Sequence, residues 1–501
     1  MIVLRRDPAA SRALKPAISA IALAGLLAAC GGGADSPGLA STESPASTTG
    51  AGLADEGRAQ AQGLSGSGTP AALAGRPDLV VMLKLEGDVW TLAKRHQLAV
   101  VNQFGQRPIW RLRSLSRKQD LGQLLVRLKG ETTVRFAELN LVQEAPVARH
   151  NSVWAIGNPN GQHNSVWAIG RPEDYATQWA PETLRLAQAH ALSLGTGVRV
   201  AVLDTGMDSS HPALASRVQR DPAGNVVGRD FVSGDKDPRE EGRAWYGAFG
   251  HGTHVAGLVA LVAPGARLMP VRVLDEGGRG NAWVLAEALA WAVDPDGNPD
   301  TDDGAHVVNM SLGGTEPTDL LRTAVALASC EFDDDDDDDH PGFAKDLQRC
   351  AKGHGAVVAI AAGNSGSADE RQYPAAEGVK GSLAVAATTR DATLALFSNS
   401  GGWIGIAAPG EFLTSTVPGG GYGVWSGTSM AAPLVAGGFA LVLATPSPNP
   451  QPGRTGLRAW TAEDVVQRIT DRSAKVCGAS LRSFDAAAAV SDLSALDPPG
   501  C

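Results

Sequence analysis

The chain has 501 residues, of which 19% are charged, and its formal net charge is −10. No basic block is present, which argues against nucleic acid as a partner, because proteins that bind it neutralise phosphates with clustered lysine and arginine. The length predicts two to three domains, or one large domain with appendages, while 60 glycines and 30 prolines indicate many turns.

The first 30 residues predict an export signal. A short apolar run at 17–29 follows four basic residues, Arg5, Arg6, Arg12 and Lys15. This run is too short to span a bilayer comfortably. It ends in Leu-Ala-Ala-Cys30, which resembles a bacterial lipoprotein signal with Cys30 as the lipidated residue. An ordinary secretory signal is the alternative, and both predict an exported protein, either lipid-anchored in the cell envelope or secreted.

The next segment, 31–76, consists mainly of Gly, Ser, Thr, Ala and Pro and predicts a flexible linker. If Cys30 carries lipid, four cysteines remain, and an even number in an exported protein suggests two disulfides. Proximity favours Cys330–Cys350 and Cys477–Cys501, although three pairings are allowed.

Residues 77–147 predict a small α+β module. Its predicted strands are 78–85, 109–112 and 133–136, and its predicted helices are 89–96 and 118–128. Residues 148–172 then contain a tandem duplication, since the octapeptide at 150–157 recurs at 163–170. Two copies are too few for a repeat array, and we interpret this stretch as a processing linker.

From 173 to 475, apolar strands alternate with helices. Predicted strands are 198–203, 267–273, 307–310, 356–361 and 382–388; predicted helices are 251–262, 282–292, 319–328 and 430–443. This order predicts an α/β fold with a doubly wound, mostly parallel sheet and helices on both faces. A site is then expected beyond the carboxyl ends of the strands. Residues 476–501 are predicted to be a C-terminal tail with a possible disulfide.

Two acidic segments interrupt this pattern. The segment 294–303 places oxygen ligands at every second position around Gly297, as calcium loops do, but it lacks the terminal Glu of an EF-hand. A solvated turn is the alternative. The seven aspartates at 333–339 should repel one another and predict a disordered surface insertion rather than a divalent-ion site.

Three motifs carry reactive side chains: Asp204-Thr-Gly, Gly-His251-Gly-Thr-His254 and Gly-Thr-Ser429-Met-Ala-Ala-Pro433. Each motif, taken alone, has an alternative interpretation. Ser429 at a helix start could be a cap, and Asp204 could belong to an aspartic protease, although the sequence has no second Asp-Thr-Gly. A metal pair of His251 and His254 lacks a supporting signature. Ser429 also does not lie in Gly-x-Ser-x-Gly, which disfavours an α/β-hydrolase.

In chain order the motifs read Asp, His, Ser, and together they resemble the subtilisin-like serine proteases, or subtilases. The resemblance covers 173–444 and extends to the segments 262–266, 308–314 and 359–365. It implies that Ser429 is the nucleophile, His251 the base and Asp204 the residue that orients His251. Asn364 would donate to the oxyanion together with the Ser429 N–H. Pro433 is expected in the first turn of its helix, where a missing N–H does no harm.

The same resemblance implies how a protein or peptide substrate binds. Ser311, Leu312 and Gly313 would pair with the extended peptide. Three further residues would line a large pocket for the side chain of the residue that precedes the scissile bond: Ala361, Ala362 and Gly363. The chemistry needs no cofactor, and structural calcium is possible, although the segment between Gly257 and Pro264 lacks the insertion that forms a calcium site in many subtilisins.

The module at 77–147 resembles the inhibitory propeptides of subtilases. The chain is then a zymogen whose own propeptide is an intramolecular inhibitor, with autocleavage between about Glu144 and Glu173. The membrane would be a partner only through the lipid anchor. Two alternatives remain: an inactive subtilase that acts as a surface binding protein, and another serine hydrolase such as an esterase.

Overall fold

The computed structural model describes residues 77–145, 165–244, 247–331, 340–450 and 453–498. The predicted signal, the linker, the first copy of the repeat, the aspartate run and Cys501 lie outside the described residues. Within the described ranges, no helix has the length and hydropathy needed to cross a bilayer.

Residues 77–145 contain a four-stranded antiparallel sheet with two helices, in the strand order β2-β3-β1-β4. Its elements are β1 (Leu79–Leu83), α1 (Val89–His96), β2 (Leu98–Gln103), β3 (Ile109–Ser114), α2 (Leu121–Lys129) and β4 (Val134–Leu139). Alternate residues of β1 face opposite sides of the sheet. Leu79, Val81 and Leu83 pack against the two helices, whereas Val80 and Met82 face a different apolar cluster.

Two details of this module differ from the prediction. Strand β2 was not predicted, because only its first residue is fully buried and it lacks a strong apolar pattern. Helix α2 begins at Leu121 rather than at 118, because the Asp120 carboxylate accepts from the N–H groups of Gly122 and Gln123 and so caps the helix there.

At the end of this module, a short strand, β5 (Val142–Glu144), lies apart from the four-stranded sheet. It is followed by β6 (Ser165–Gly170) and three short helices, α3 (Pro172–Thr177), α4 (Trp179–Thr183) and α5 (Leu186–His190). Strand β6 is formed by the last six residues of the second copy of the duplicated octapeptide. The predicted processing linker 148–172 is therefore partly a strand.

The predicted doubly wound sheet is confirmed. Among the described residues, nine strands form one sheet in the order β17-β18-β14-β13-β12-β11-β7-β9-β8, parallel throughout except for β17. These strands are β7 (Arg199–Asp204), β8 (Arg229–Asp230), β9 (Arg267–Arg272), β11 (Val307–Met310), β12 (Val357–Ala361), β13 (Ser382–Thr388), β14 (Ile406–Pro409), β17 (Ala474–Lys475) and β18 (Arg482–Ser483).

Helices cover both faces of this sheet, and strand β7 contributes to both cores. Val200 and Val202 belong to one apolar cluster, and Ala201 and Leu203 to the other. The first face carries α6 (His251–Val262), α10 (Thr428–Leu443), α11 (Ala462–Asp471) and α12 (Ala486–Ala489). The second face carries α7 (Ala282–Val293) and α8 (Asp319–Ser329), and its cluster also includes apolar residues of the 77–145 module.

The remaining strands are short. Strand β10 (Arg279–Asn281) pairs with β5, and β15 (Leu413–Val417), β16 (Gly421–Trp425) and β6 form an antiparallel sheet in that order. Because β16 runs almost directly into α10, β6 is hydrogen-bonded to a strand that leads to Ser429.

The prediction of a tail at 476–501 is corrected by the structure. Strand β18 extends the main sheet beside β14, and the Phe484 ring is buried in the first core cluster. A Cβ placed on Gly438 of α10 would come within 2.2 Å of that ring. This packing could not be predicted from the pattern of residues, because a single buried aromatic residue in a loop-rich segment has no periodicity.

The Cys330–Cys350 disulfide is confirmed, with Cα atoms 5.3 Å apart. Helix α9 (Ala344–Ala351), which begins inside the loop closed by this disulfide, was not predicted. The buried Arg349 guanidinium donates to the carbonyl oxygens of Leu327 and His354 and fixes this helix to the end of α8. The second predicted pair involves Cys501, which lies outside the described residues.

Candidate active site

The predicted site residues gather at the carboxyl edge of the main sheet, where parallel strands end. Asp204 ends β7, Ser311 follows β11, and Asn364 follows β12. His251 is the first residue of α6 and Ser429 the second residue of α10. These two helices pack closely because α10 presents glycine to α6: a Cβ on Gly437 would come within 2.6 Å of the Val262 side chain.

Asp204 and His251 form a buried pair, with 2.7 Å between Oδ1 of Asp204 and Nδ1 of His251. The same carboxylate oxygen accepts from the backbone N–H of Thr205 at 2.7 Å, which fixes its orientation. Burial alone lowers the pKa of His251, but the charge of Asp204, their hydrogen bond and the charge of Glu240 together raise it above its ordinary value. His251 thus has Nδ1 held by a carboxylate and Nε2 left for proton transfer.

Glu240 was missed by sequence reasoning. Its Oε2 accepts from the N–H of Gly250 at 3.0 Å, and its Oε1 accepts from the N–H and the hydroxyl of Thr253 at 2.9 and 3.0 Å. The first N–H groups of a helix lack intrahelical acceptors, and Gly250 has no side chain to supply one. Glu240 therefore caps α6, the helix that carries His251. Burial raises the pKa of Glu240, although its hydrogen bonds oppose that rise.

Ser429 lies in the first turn of α10, which begins at Thr428, two residues earlier than predicted. Its hydroxyl donates to the Ser311 carbonyl oxygen at 3.3 Å, and no hydrogen bond joins it to His251 in the part of the chain that the structure describes. Such contacts are often loose without substrate. The N–H of Ser429 belongs to the orphan donors of a helix start and is available to an anion.

Pro433 is not in the first turn of α10, as predicted, but is its sixth residue. An ordinary residue there would donate its N–H to the carbonyl oxygen of Ser429, four positions earlier, and proline cannot. The Ser311 hydroxyl donates to that carbonyl at 2.9 Å instead. Ser311 therefore replaces the missing helix hydrogen bond directly at the candidate nucleophile.

The Asn364 side chain is held in one orientation. Its Oδ1 accepts from the N–H and the hydroxyl of Thr428, at 2.8 and 2.9 Å. Because an amide has its acceptor on one side and its donors on the other, the NH₂ group points away from Thr428. A Cβ on Gly427 would come within 3.2 Å of that nitrogen. Glycine at 427 thus leaves the Asn364 amide room beside the start of α10.

The end of the 77–145 module lies against the predicted peptide-binding segment. Glu144 and Gly313 exchange two backbone hydrogen bonds, at 2.9 and 3.0 Å, in antiparallel register. On its other side, β5 pairs with β10, and the N–H of Ala145 donates to Gly278 at 2.9 Å. The chain's own β5 is therefore inserted as an extended strand between Gly313 and β10.

Two of the predicted pocket residues have their side chains in the core. Ala361 packs in the first core cluster and Ala362 in a small cluster with Ile404 and Ala407, so only their backbone can face a substrate. Gln372, missed in the sequence, lies between Gly313 and Gly363. A Cβ on these glycines would come within 2.6 and 2.8 Å of its amide atoms. The predicted roomy apolar pocket therefore contains a polar side chain.

His254 has a structural role. Its ring stacks on Trp425 with 4.6 Å between centroids, and its Nε2 lies 3.2 Å from the carbonyl oxygens of Leu413 and Gly423. Burial, followed by the charge of His251, lowers the pKa of His254 to about 3. A neutral ring that donates Nε2–H to these carbonyls joins α6 to β15 and β16.

The acidic loop brings together Asp294, Asp296 and Asp303, whose carboxylate oxygens lie within 4.8 Å of one another. The spacing argument had included Asp300 and Asp302, but Asp300 pairs with Lys352, and Asp302 pairs with two arginines. One oxygen of Asp303 is buried and has no partner among the described residues. Carboxylate oxygens are the donors that Ca²⁺ takes, so these three residues fit such an ion.

Comparison with known proteins finds one family. Its model, described as the subtilase family, matches residues 195–487. Thermitase of Thermoactinomyces vulgaris is 34% identical over 270 residues, which cover 52% of this chain and 80% of thermitase. Subtilisin E of Bacillus subtilis is 36% identical over 288 residues, which cover 55% of this chain and 60% of that protein.

A solved structure of proteases from Pseudoalteromonas arctica PAMC 21717 is also similar. It is 28% identical, and the match covers 63% of this chain and 97% of that one, with a TM-score of 0.49.

Proposed function

Because the chain belongs to the subtilase family of serine peptidases, we propose that it is an endopeptidase with Ser429 as its nucleophile. The observation that carries this proposal is the buried 2.7 Å contact between Asp204 and His251 at the edge where α10 presents Ser429. A serine hydroxyl is too weak an acid to ionise unaided. His251 takes its proton through Nε2 and then gives it to the leaving amine.

The Ser429 hydroxyl leaves the Ser311 carbonyl for His251 when it attacks the scissile peptide carbonyl. Asp204 keeps the Nδ1–H tautomer of His251 and stabilises the imidazolium formed by proton transfer. The resulting oxyanion accepts from the Asn364 amide and the Ser429 N–H. Thr428 supports this role, because its two bonds to Asn364 Oδ1 leave the NH₂ group as the outward donor.

Peptide substrates bind as an added strand. Support comes from β5, which already occupies the position between Gly313 and β10 with paired backbone hydrogen bonds. Since a strand pairs through its backbone, this position accepts many sequences. Gln372 then makes the pocket beside Gly363 partly polar.

The module at 77–147 acts as an inhibitory propeptide of the exported zymogen. Its support is that β5 blocks the peptide-binding position and that β6 is already paired with β16. Autocleavage therefore falls after Ala145 and before Ser165, which narrows the interval expected from sequence. Export through a lipoprotein-type signal completes the proposal, and cleavage would separate the lipid anchor from the protease.

A calcium ion held by Asp294, Asp296 and Asp303 has a structural role in this proposal and no part in the chemistry. Support comes from their spacing and from the unpartnered Asp303 oxygen. Calcium should raise the thermal unfolding temperature of the Ser429→Ala protein, and Asp303→Asn should remove that increase. An equal increase in both proteins would place the ion elsewhere.

The experiment for the activity is active-site labelling of the purified full chain with a phosphonofluoridate, combined with casein cleavage. Ser429→Ala should lose both the label and the cleavage. Ser426→Ala is the matched control, since the hydroxyl of this nearby serine accepts from the Phe412 N–H at 2.8 Å. Absence of labelling would favour the inactive binding protein, and labelling without casein cleavage would favour an esterase.

Processing has its own test. The N-terminal sequence of the mature protein should begin between residues 146 and 165. The Ser429→Ala chain should remain full length in pure form. Trimming of that pure variant would show that another protease does the processing.

A further inference from the structure

The disulfide-closed insertion between α8 and β12 contacts the 77–145 module. We call its described part, residues 340–350, the arm. The arm is fixed at its base, because Cys330–Cys350 closes the insertion and Arg349 donates to the carbonyls of Leu327 and His354. It also rests on the acidic loop, where Gln348 Nε2 donates to Asp300 at 2.9 Å.

The arm meets the turn between β2 and β3 of the module. Arg107 Nη2 donates to Asp346 Oδ1 at 2.6 Å, and the two side chains are only 14% and 7% exposed. The Arg107 guanidinium also lies 4.3 Å from the centroid of the Phe104 ring. On the arm, a Cβ on Gly342 would come within 2.7 Å of the Gln106 carbonyl oxygen, so the two backbones are in close contact.

Apolar side chains of the arm and of the module belong to one buried cluster. Phe343 of the arm is buried in the same cluster as Phe104 and Ile109 of the module. A largely buried ion pair is costly to break from one side, because the remaining charge stays buried after it loses that partner. This surface is also separate from the insertion of β5 between Gly313 and β10, which concerns the peptide-binding position alone.

We propose that the arm is a docking surface for the 77–145 module, with Asp346 as the anchor for Arg107, and that this contact keeps the module bound after cleavage. The proposal rests on the proposed function of the module as an inhibitor. The arm then extends inhibition beyond the peptide-binding position. The insertion takes no part in the catalytic reaction, but it prolongs the time for which the module stays bound and inhibits the protease.

The test uses hydrogen exchange in the full-length Ser429→Ala chain, which needs no catalysis. Arg107→Met removes the charge and keeps an unbranched side chain over Phe104. We expect the Gly313 amide, which donates to Glu144 at 3.0 Å, to exchange about 30-fold faster or more. Arg95→Met is the matched control, since Arg95 is 56% exposed and pairs with Glu131 inside the module. It should leave the Gly313 exchange rate unchanged.

Reversing the pair tests the anchor itself. Arg107→Asp and Asp346→Arg should each accelerate exchange at Gly313, and the combination should restore protection. Wild-type exchange in Arg107→Met, or no rescue by the reversed pair, overturns the proposal. Equal acceleration at the β1 amides also overturns it, because Arg107 would then only stabilise the fold of the module.

The active chain gives the functional readout. Arg107→Met should shorten the delay between cleavage of the chain and the appearance of peptidase activity, and Arg95→Met should not. A wild-type chain that never cleaves itself or a peptide would contradict the proposed function. The exchange experiment would still decide whether the arm holds the module.

Discussion

Glu240 should act on both the stability of α6 and the proton affinity of His251. In Glu240→Ala, two N–H groups at the start of α6 and the Thr253 hydroxyl lose their acceptor. A buried donor without a partner costs about 1–3 kcal/mol, so the two N–H groups give about 2–6 kcal/mol. At about 2 °C per kcal/mol for a large domain, the midpoint of thermal unfolding should fall by about 4–12 °C.

Glu240→Gln should separate the two effects. Its two oxygens accept from different donors, so an amide keeps one acceptor and turns its NH₂ group toward the other donor. The loss of stability should be about half that of Glu240→Ala. The loss of charge is the same in both variants. Because the charge of Glu240 helps to raise the pKa of His251, its removal lowers that pKa.

The assay is the pH dependence of kcat/KM on a chromogenic peptide, with unfolding measured in the Ser429→Ala background to prevent autolysis. His251 must be neutral to act as a base, so a lower pKa moves the acid limb to lower pH in both variants. Glu241→Gln is the control: Glu241 is 52% exposed and pairs with Arg272 at 2.9 Å. An acid limb that stays in place while the unfolding midpoint falls would refute the electrostatic role.

Three further predictions concern the site and the docked module. Asn364→Ala should lower kcat about 10²–10³-fold with little change in KM, a magnitude measured on a subtilisin; an unchanged kcat would remove Asn364 from the oxyanion site. Ser311→Ala should lower the unfolding midpoint by about 2–6 °C, because the Ser311 hydroxyl donates to the Ser429 carbonyl and Pro433 cannot replace it. An unaltered midpoint would mean that this carbonyl finds another donor. Burial raises the pKa of Glu138 to about 7 in the docked module, so docking takes up a proton. The stabilisation of the docked state by this proton is complete below the ordinary Glu pKa and is lost as pH rises through about 7. Gly313 exchange should therefore show weaker docking at alkaline pH, after correction for intrinsic exchange, and Glu138→Gln should abolish that dependence.

The parts that sequence predicted well are those with a strong local pattern. The buried run of β7 and the small-residue helices α6 and α10 follow from unbroken apolar segments, and Asp204, His251 and Ser429 stand at their ends. The chain order Asp-His-Ser then indicated that the three motifs form one site. At these positions the local sequence pattern and the tertiary structure lead to the same assignment.

The parts that sequence missed depend on contacts between distant segments. Glu240 lies ten residues before Gly250, whose N–H it accepts from at the start of α6, and the intervening loop has no periodic signal. Gln372 enters the pocket only because the chain returns past Gly313 and Gly363. Strand β16 was not predicted, because its glycine-rich composition does not favour a strand. Its pairing with β15 and β6 stabilises the extended conformation.

In the proposed self-processing, strand β6 limits how far the protease can shorten its own N-terminus. A peptide must be extended and unpaired to enter the cleft, whereas the backbone of β6 is already hydrogen-bonded to β16. Successive self-cleavage should therefore remove residues up to Ser165 and then stop. The mature enzyme would then begin with strand β6. It could not cleave this strand unless the sheet beside Ser429 first opened.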